Sequence, residues 1–153
     1  MKCLVIGYGA AGKRHVKILE KFKVKKIYVL TKQQIPGHNI IRNFSEVKNL
    51  NPDFIIIASI TSLHLKYFYL IEKFFRNKKI LIEKPVFHKF VKIKKTKNKF
   101  YVGYNLRFNP GLIYLKSQIK NKKIIFVNIN CSSYLPDWRK NIDNKISMST
   151  NSK

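Results

Sequence analysis

The chain has 153 residues, enough for one ordinary domain or for one domain and part of a second. Its hydrophobic content of 45% supports a real core and excludes wholesale disorder. With 32 Lys and Arg against 7 Asp and Glu, the net charge is +25. Two readings of that charge stand: an electrostatic footprint for nucleic acid or an anionic membrane surface, or compositional drift toward the A/T-rich codons of Lys, Asn, Ile and Phe.

No apolar run approaches the length of a membrane-spanning helix. The stretch behind Lys2 is too short for a signal peptide, is broken by glycines, and runs into Lys13, Arg14 and His15. Cys3 and Cys131 lack metal-ligand spacing, so no metal is expected. Both read as small buried residues of a reduced, cytoplasmic protein.

Cys3, Leu4, Val5 and Ile6 read as a short buried strand. Gly7-Tyr8-Gly9-Ala10-Ala11-Gly12 follows at once and a helical pattern opens behind it. This is G-x-G-x-x-G between a strand and a helix, the context of a dinucleotide site. Gly7 permits a tight turn, Gly9 lets the backbone approach a pyrophosphate, and Gly12 lets the helix pack closely on the strand. The helix N-terminus offers unpaired N–H groups to the phosphates. The alternative is a glycine turn that holds no ligand.

The first helix is predicted to run to about Phe22, with Ala11, His15, Ile18, Leu19 and Phe22 on its apolar face. Ile27-Tyr28-Val29-Leu30 is the second strand. Behind it a dinucleotide fold usually places an acid for the adenosine ribose, but this chain reads Thr31-Lys32-Gln33-Gln34. Thr31 and Lys32 either meet the 2′-phosphate of NADP or are simply solvated.

Ile40-Ile41 is predicted as a short strand, and Ser45 as the N-cap of a brief helix. Phe54-Ile55-Ile56-Ile57-Ala58 reads as a parallel strand covered on both faces. A helix follows over residues 63–75, with Leu63, Tyr67, Leu70, Ile71 and Phe74 buried. Ser59, Thr61 and His64 fall where this strand meets this helix, at the ligand edge of such a sheet. His64 is either a cofactor or substrate contact or a hydrogen-bonded support.

Residues 79–82 form the next predicted strand, ending in Glu83-Lys84-Pro85. Residues 86–99 are irregular and basic. A strand is predicted over residues 100–104, a turn at 105–110, a helix at 111–119 and a strand at 124–130. The polar end of the sequence has no usable periodicity, and there is no internal repeat.

In this order GYGAAGKRH, IIIASITSLHL, LIEKPV, VGYNLRFNPG and YLPDWR resemble the Gfo/Idh/MocA family of NAD(P)-dependent oxidoreductases, over residues 1 to about 140. The resemblance implies an α/β protein: a Rossmann-type doubly wound parallel sheet over residues 1–104, then an incomplete second α/β domain over 105–153. It implies NAD or NADP as cofactor and hydride transfer on a sugar- or cyclitol-like alcohol. Gly7, Gly9, Ala10, Ala11 and Gly12 would line the pyrophosphate. Ser59, Thr61, His64 and Glu83 would lie beside the cofactor. Lys84, of the E-K-P motif, would stand between nicotinamide and substrate as the catalytic residue. An ammonium there can polarise the alcohol oxygen or relay its proton. Without that context, Lys84 is one lysine among many and Glu83 its ion partner. Asn105 and Arg107 match the domain crossover and would face the substrate; Trp138 and Arg139 match a substrate-side loop, or simply pack.

The same resemblance implies an Asp and a His from further along the second domain, and no residue here matches them. A truncated chain is therefore expected, binding the dinucleotide with little or no dehydrogenase activity alone. A homo-oligomer is expected only of a full-length chain. Two other readings stand beside this one: a basic, non-catalytic nucleic-acid binder, for which no module signature is present, and an inactive remnant.

Overall fold

The computed structural model describes residues 1–132. The chain divides into a compact unit Met1–Asn109 and a second unit from Pro110 on. In the first unit six strands, β1 (Lys2–Ile6), β2 (Lys26–Leu30), β3 (Asn39–Ile41), β4 (Phe54–Ile57), β5 (Lys79–Ile82) and β6 (Lys99–Val102), form one sheet. Their order is β3-β2-β1-β4-β5-β6 and every pair is parallel. Lys2 lies opposite Lys26 on one side of β1, and Cys3 opposite Phe54 on the other. The order reverses at β1, which makes the β1/β4 boundary the topological switch point of a Rossmann-type sheet.

The apolar runs become central strands because both of their faces are covered. Cys3, Leu4, Val5 and Ile6 are fully buried, and Ile55, Ile56 and Ile57 are at most 2% exposed. The strand period of two splits them between two cores. Leu4, Ile6, Ile55, Ile57, Ile80 and Ile82 pack with Val47 of α2 (Phe44–Leu50) and with Phe68 and Ile71 of α3 (Thr61–Phe74). Cys3, Val5, Val29 and Ile56 pack with Val16 and Leu19 of α1 (Ala10–Lys21). Each buried aliphatic side chain is worth about 1.5–3 kcal/mol. An exposed ion pair is worth roughly 0–1 kcal/mol, so these two cores dominate the stability.

Several local expectations shift. The buried face of α1 is Gly12, Val16 and Leu19, whereas Ile18 is 41% and Phe22 77% exposed. The predicted face is rotated because Gly12, with no side chain to count, marks where the helix touches the sheet. The N-cap of α2 is Asn43 rather than Ser45, and Glu46 reaches back to accept the Asn43 N–H at 2.8 Å. On α3, Thr61, His64, Phe68 and Ile71 are the buried residues. Cys3 is buried as expected, but Cys131 is exposed.

No helix joins β5 to β6. The connection is irregular, and its Val86 and Phe87 pack on the α2/α3 core. Asn98, 6% exposed, fixes its end: its amide donates to Glu72 Oε1 (2.7 Å) and to the Phe75 carbonyl (3.0 Å). Its Oδ1 accepts the Lys78 N–H (3.0 Å), and the Lys97 N–H donates to Glu72 Oε2 (2.9 Å). A 3-10 turn, Asn105–Phe108, closes the unit.

In the second unit, α4 (Pro110–Ile119) forms where the sequence predicts a helix, with Pro110 at its first position. Residues 124–130 form no strand. Their apolar pattern suits a sheet, but a strand exists only through its ladder, and no described segment pairs with them. Trp138 and Arg139 lie outside the described residues. Among the described residues no helix is long and apolar enough to cross a membrane.

Candidate dinucleotide site at the carboxyl edge of the sheet

The hydrogen-bond ladder continues one residue past the strand ends. Gly7 N–H donates to the Leu30 carbonyl (2.9 Å), Ala58 N–H to Ile6 (2.9 Å), Glu83 N–H to Ile57 (2.9 Å), Gly103 N–H to Ile82 (2.8 Å) and Thr31 N–H to Ile41 (3.1 Å). Parallel strands all end on one side, so this edge gathers Gly7, Thr31, Ser59 and Glu83 from four separate stretches of sequence.

The three glycines of the loop do different work. Gly7 has φ +95°, and a Cβ on it would lie 2.6 Å from Ser59 Cα and 2.7 Å from the Ala58 carbonyl oxygen. A bare α-carbon lets the turn after β1 lie directly on the turn after β4. A Cβ on Gly12 would overlap the Gly7 carbonyl, so α1 starts hard against the loop. Nothing lies within 4 Å of a Cβ built on Gly9, which is the N-cap of α1 and is exposed. The loop is therefore tight where it meets protein and open where a ligand would come. No acidic residue stands in the first turn of α1, and Ala10 and Ala11 add no bulk there. Unpaired N–H groups at such a terminus suit a pyrophosphate, so these residues fit a dinucleotide.

In the turn after β4 the ring of His64 is hydrogen-bonded within the protein. His64 is 1% exposed and both of its ring nitrogens face carbonyls. Nε2 lies 2.9 Å from the Ser59 oxygen, and Nδ1 lies 3.1 Å from those of Pro85 and Val86. The ring is a strut joining the β4 turn to the segment after β5. Thr61, in the first turn of α3, is 7% exposed. Ser59 remains partly accessible, and Ile60 beside it is 63% exposed.

Glu83 does not pair with Lys84. Its Oε1 lies 2.7 Å from Nε2 of His15 on α1, with both side chains mostly covered at 16% and 20% exposure. Its Oε2 accepts the Lys84 N–H at 3.3 Å, and a Cβ on Gly103 would come within 3.3 Å of its carboxylate. Glu83 thus ties α1 to the ends of β5 and β6 and fixes the backbone under Lys84. Lys84 is exposed, and its peptide bond to Pro85 is cis. Asn105 and Arg107 follow β6 in the 3-10 turn, both exposed. The Asn105 N–H donates to the Gly103 carbonyl (3.0 Å), which keeps that turn close behind the β6 end.

Thr31 and Lys32 open the loop after β2. Thr31 Oγ1 accepts the Gln33 N–H at 3.2 Å, and Lys32 is exposed. Sequence patterning passes over Arg42, which braces this loop, and places His15 on an apolar face. Neither partnership has a local signal, because the residues involved lie 8–11 and 68 positions apart.

The shifted pKa values belong elsewhere. Burial pushes the Cys3 thiol and the Tyr67 phenol above their ordinary ranges. The Lys2 backbone N–H holds the Asp53 carboxyl below the usual carboxylate range.

Residues 1–101 match the family model described as "Oxidoreductase family, NAD-binding Rossmann fold". No curated protein matches the chain by sequence. Among solved structures, the fold is similar to the WlbA (WbpB) dehydrogenase from Thermus thermophilus, solved with NAD and alpha-ketoglutarate. The TM-score is 0.61 at 17% identity, over 80% of this chain and 48% of that one. It is similar to the WlbA dehydrogenase from Chromobacterium violaceum with NADH and UDP-GlcNAcA, at TM-score 0.67 and 18% identity, over 80% and 40%. It is also similar to scyllo-inositol dehydrogenase from Lactobacillus casei with NAD(H) and scyllo-inositol, at TM-score 0.61 and 17% identity, over 78% and 41%. The matched part of this chain spans less than half the length of each.

Proposed function

The chain belongs to the oxidoreductase family with the NAD-binding Rossmann fold, and from that premise we propose that it holds a nicotinamide dinucleotide along the carboxyl edge and provides the cofactor half of a hydride-transferring enzyme. The observation that carries this reading is the loop at the switch point, closed by Gly7 and Gly12 against protein and open at Gly9.

In this reading the backbone N–H groups of Gly9, Ala10, Ala11 and Gly12 receive the pyrophosphate. Ser59 borders the cofactor at the β4 turn, and Thr31 and Lys32 border its adenosine end. Bound there, the nicotinamide supplies the hydride acceptor or donor. Lys84 donates a hydrogen bond to the alcohol oxygen of the substrate. Its ammonium stabilises the negative charge that develops as the hydroxyl proton leaves to solvent water. Glu83, clamped by His15, keeps the Lys84 backbone in place. Asn105 and Arg107 supply polar contacts for the substrate, and the unit from Pro110 begins the substrate domain.

A sugar- or cyclitol-like alcohol is the substrate class we favour. Its support is the company of the fold: solved relatives carry UDP-GlcNAcA or scyllo-inositol. Titration of NADH and NADPH fluorescence tests the core of the proposal. Saturable binding of one or both is expected, and weakening by Gly9→Val would place it at the loop. Absence of saturable binding for both cofactors overturns it.

A further inference from the structure

The connection from the end of β2 to the start of α2, residues 31–43, contains no Asp or Glu and carries Lys32, His38 and Arg42. In a dinucleotide fold this connection borders the adenosine ribose. A carboxylate there accepts a hydrogen bond from the free 2′-hydroxyl and repels a 2′-phosphate. Two acids from neighbouring helices touch the far part of the connection, away from Thr31 and Lys32 in sequence. Glu46 accepts the N–H groups of Arg42 (3.3 Å) and Asn43 (2.8 Å), and Glu20 of α1 lies 3.8 Å from His38 Nδ1.

Arg42 follows β3 directly, is half-buried, and folds back under the loop. Its Nη1 donates to the carbonyls of Thr31 (3.0 Å) and Gln33 (2.8 Å), and its Nη2 donates to Gln34 Oε1 (2.7 Å). All three acceptors are neutral, so the guanidinium is held in place while keeping its full positive charge. The same contacts hold the backbone on both sides of Lys32. The result is a shaped loop with two cations and no carboxylate, at the place where NAD and NADP differ by a phosphate.

Building on the dinucleotide reading above, we infer that this loop selects NADP over NAD. Lys32 pairs with the 2′-phosphate. Arg42 is a positioning residue that shapes the Thr31–Gln34 turn and adds positive potential beneath it. Thr31 occupies the place at the end of β2 from which an acid would select NAD.

The test is a parallel titration of NADPH and NADH at fixed ionic strength, read by cofactor fluorescence, with thermal melts for each variant. The wild-type chain is expected to bind NADPH at least about tenfold more tightly, the scale of one charge-assisted contact. Lys32→Ala and Arg42→Gln each lower NADPH affinity more than NADH affinity, so the ratio falls. A merely structural role for Arg42 would lower both in proportion and leave the ratio unchanged. Thr31→Asp brings the ratio to one or reverses it. Lys32 is exposed, so its variant folds and keeps the test decisive if Arg42→Gln does not. Equal binding, tighter NADH, or a ratio unmoved by Lys32→Ala overturns the selectivity and leaves the dinucleotide site standing. Absence of binding for both cofactors overturns the site and the selectivity together.

Discussion

At the scale of single residues, the glycine loop separates two roles that one motif combines. Gly7 is required by the protein itself, because its φ is +95° and a Cβ would lie 2.6 Å from Ser59 Cα. Gly7→Ala is expected to cost about 1–3 kcal/mol in urea unfolding, from a strained backbone and a forced shift of the β4 turn. Gly9 faces open space, so Gly9→Ala should change stability by only about 1 kcal/mol or less while weakening dinucleotide binding. Equal stability losses for the two variants would contradict this division. The glycines were legible in the sequence because their spacing is local and the backbone geometry demands it. The His15–Glu83 pair was not, since it closes over 68 residues and links a helix to a strand end. His64 was legible as a residue at the edge with a hydrogen-bonded support among its readings, and only the fold reveals which carbonyls surround it.

At the scale of elements, apolar runs identified the strands and a period of three to four identified the helices. Long apolar runs can only be central strands when helices cover both faces, and that is what β1 and β4 became. Residues 124–130 carry the same kind of run but pair with no strand among the described residues, in keeping with pattern giving the capacity for a strand and pairing giving the strand. The β5–β6 connection lacks a helix, so hydrogen bonds do what helix packing does elsewhere. Asn98 links the connection to Glu72 and Phe75 of the α3 end and to Lys78 before β5. Asn98→Ala leaves the Phe75 carbonyl and the Lys78 N–H without that partner. A loss of about 1–3 kcal/mol is expected in denaturant unfolding, with earlier proteolysis between β5 and β6. Asn98→Asp should cost at least as much at neutral pH, because a carboxylate cannot donate to the Phe75 carbonyl and would stand against the Glu72 carboxylate.

At the scale of the whole molecule, 7 acids face 32 Lys and Arg, and the described acids already have partners within the fold. The remaining cations repel one another, and salt screens that repulsion over about 8–10 Å at physiological strength. The melting temperature is therefore expected to rise when sodium chloride is added from low ionic strength. A fall over that range would mean that the few ion pairs outweigh the self-repulsion. Sheet order was less legible than sheet content, since strand succession alone does not say that β4 returns to the far side of β1. That return has a consequence for how the chain comes into being. The central strand β1 is synthesised before either of its neighbours, and its second flank is closed only by residues about fifty positions later. Until then the apolar stretch at residues 3–6 waits with an open side as the nascent chain lengthens, so the ribosome exit and any chaperone near it meet the future centre of the protein before its covering exists.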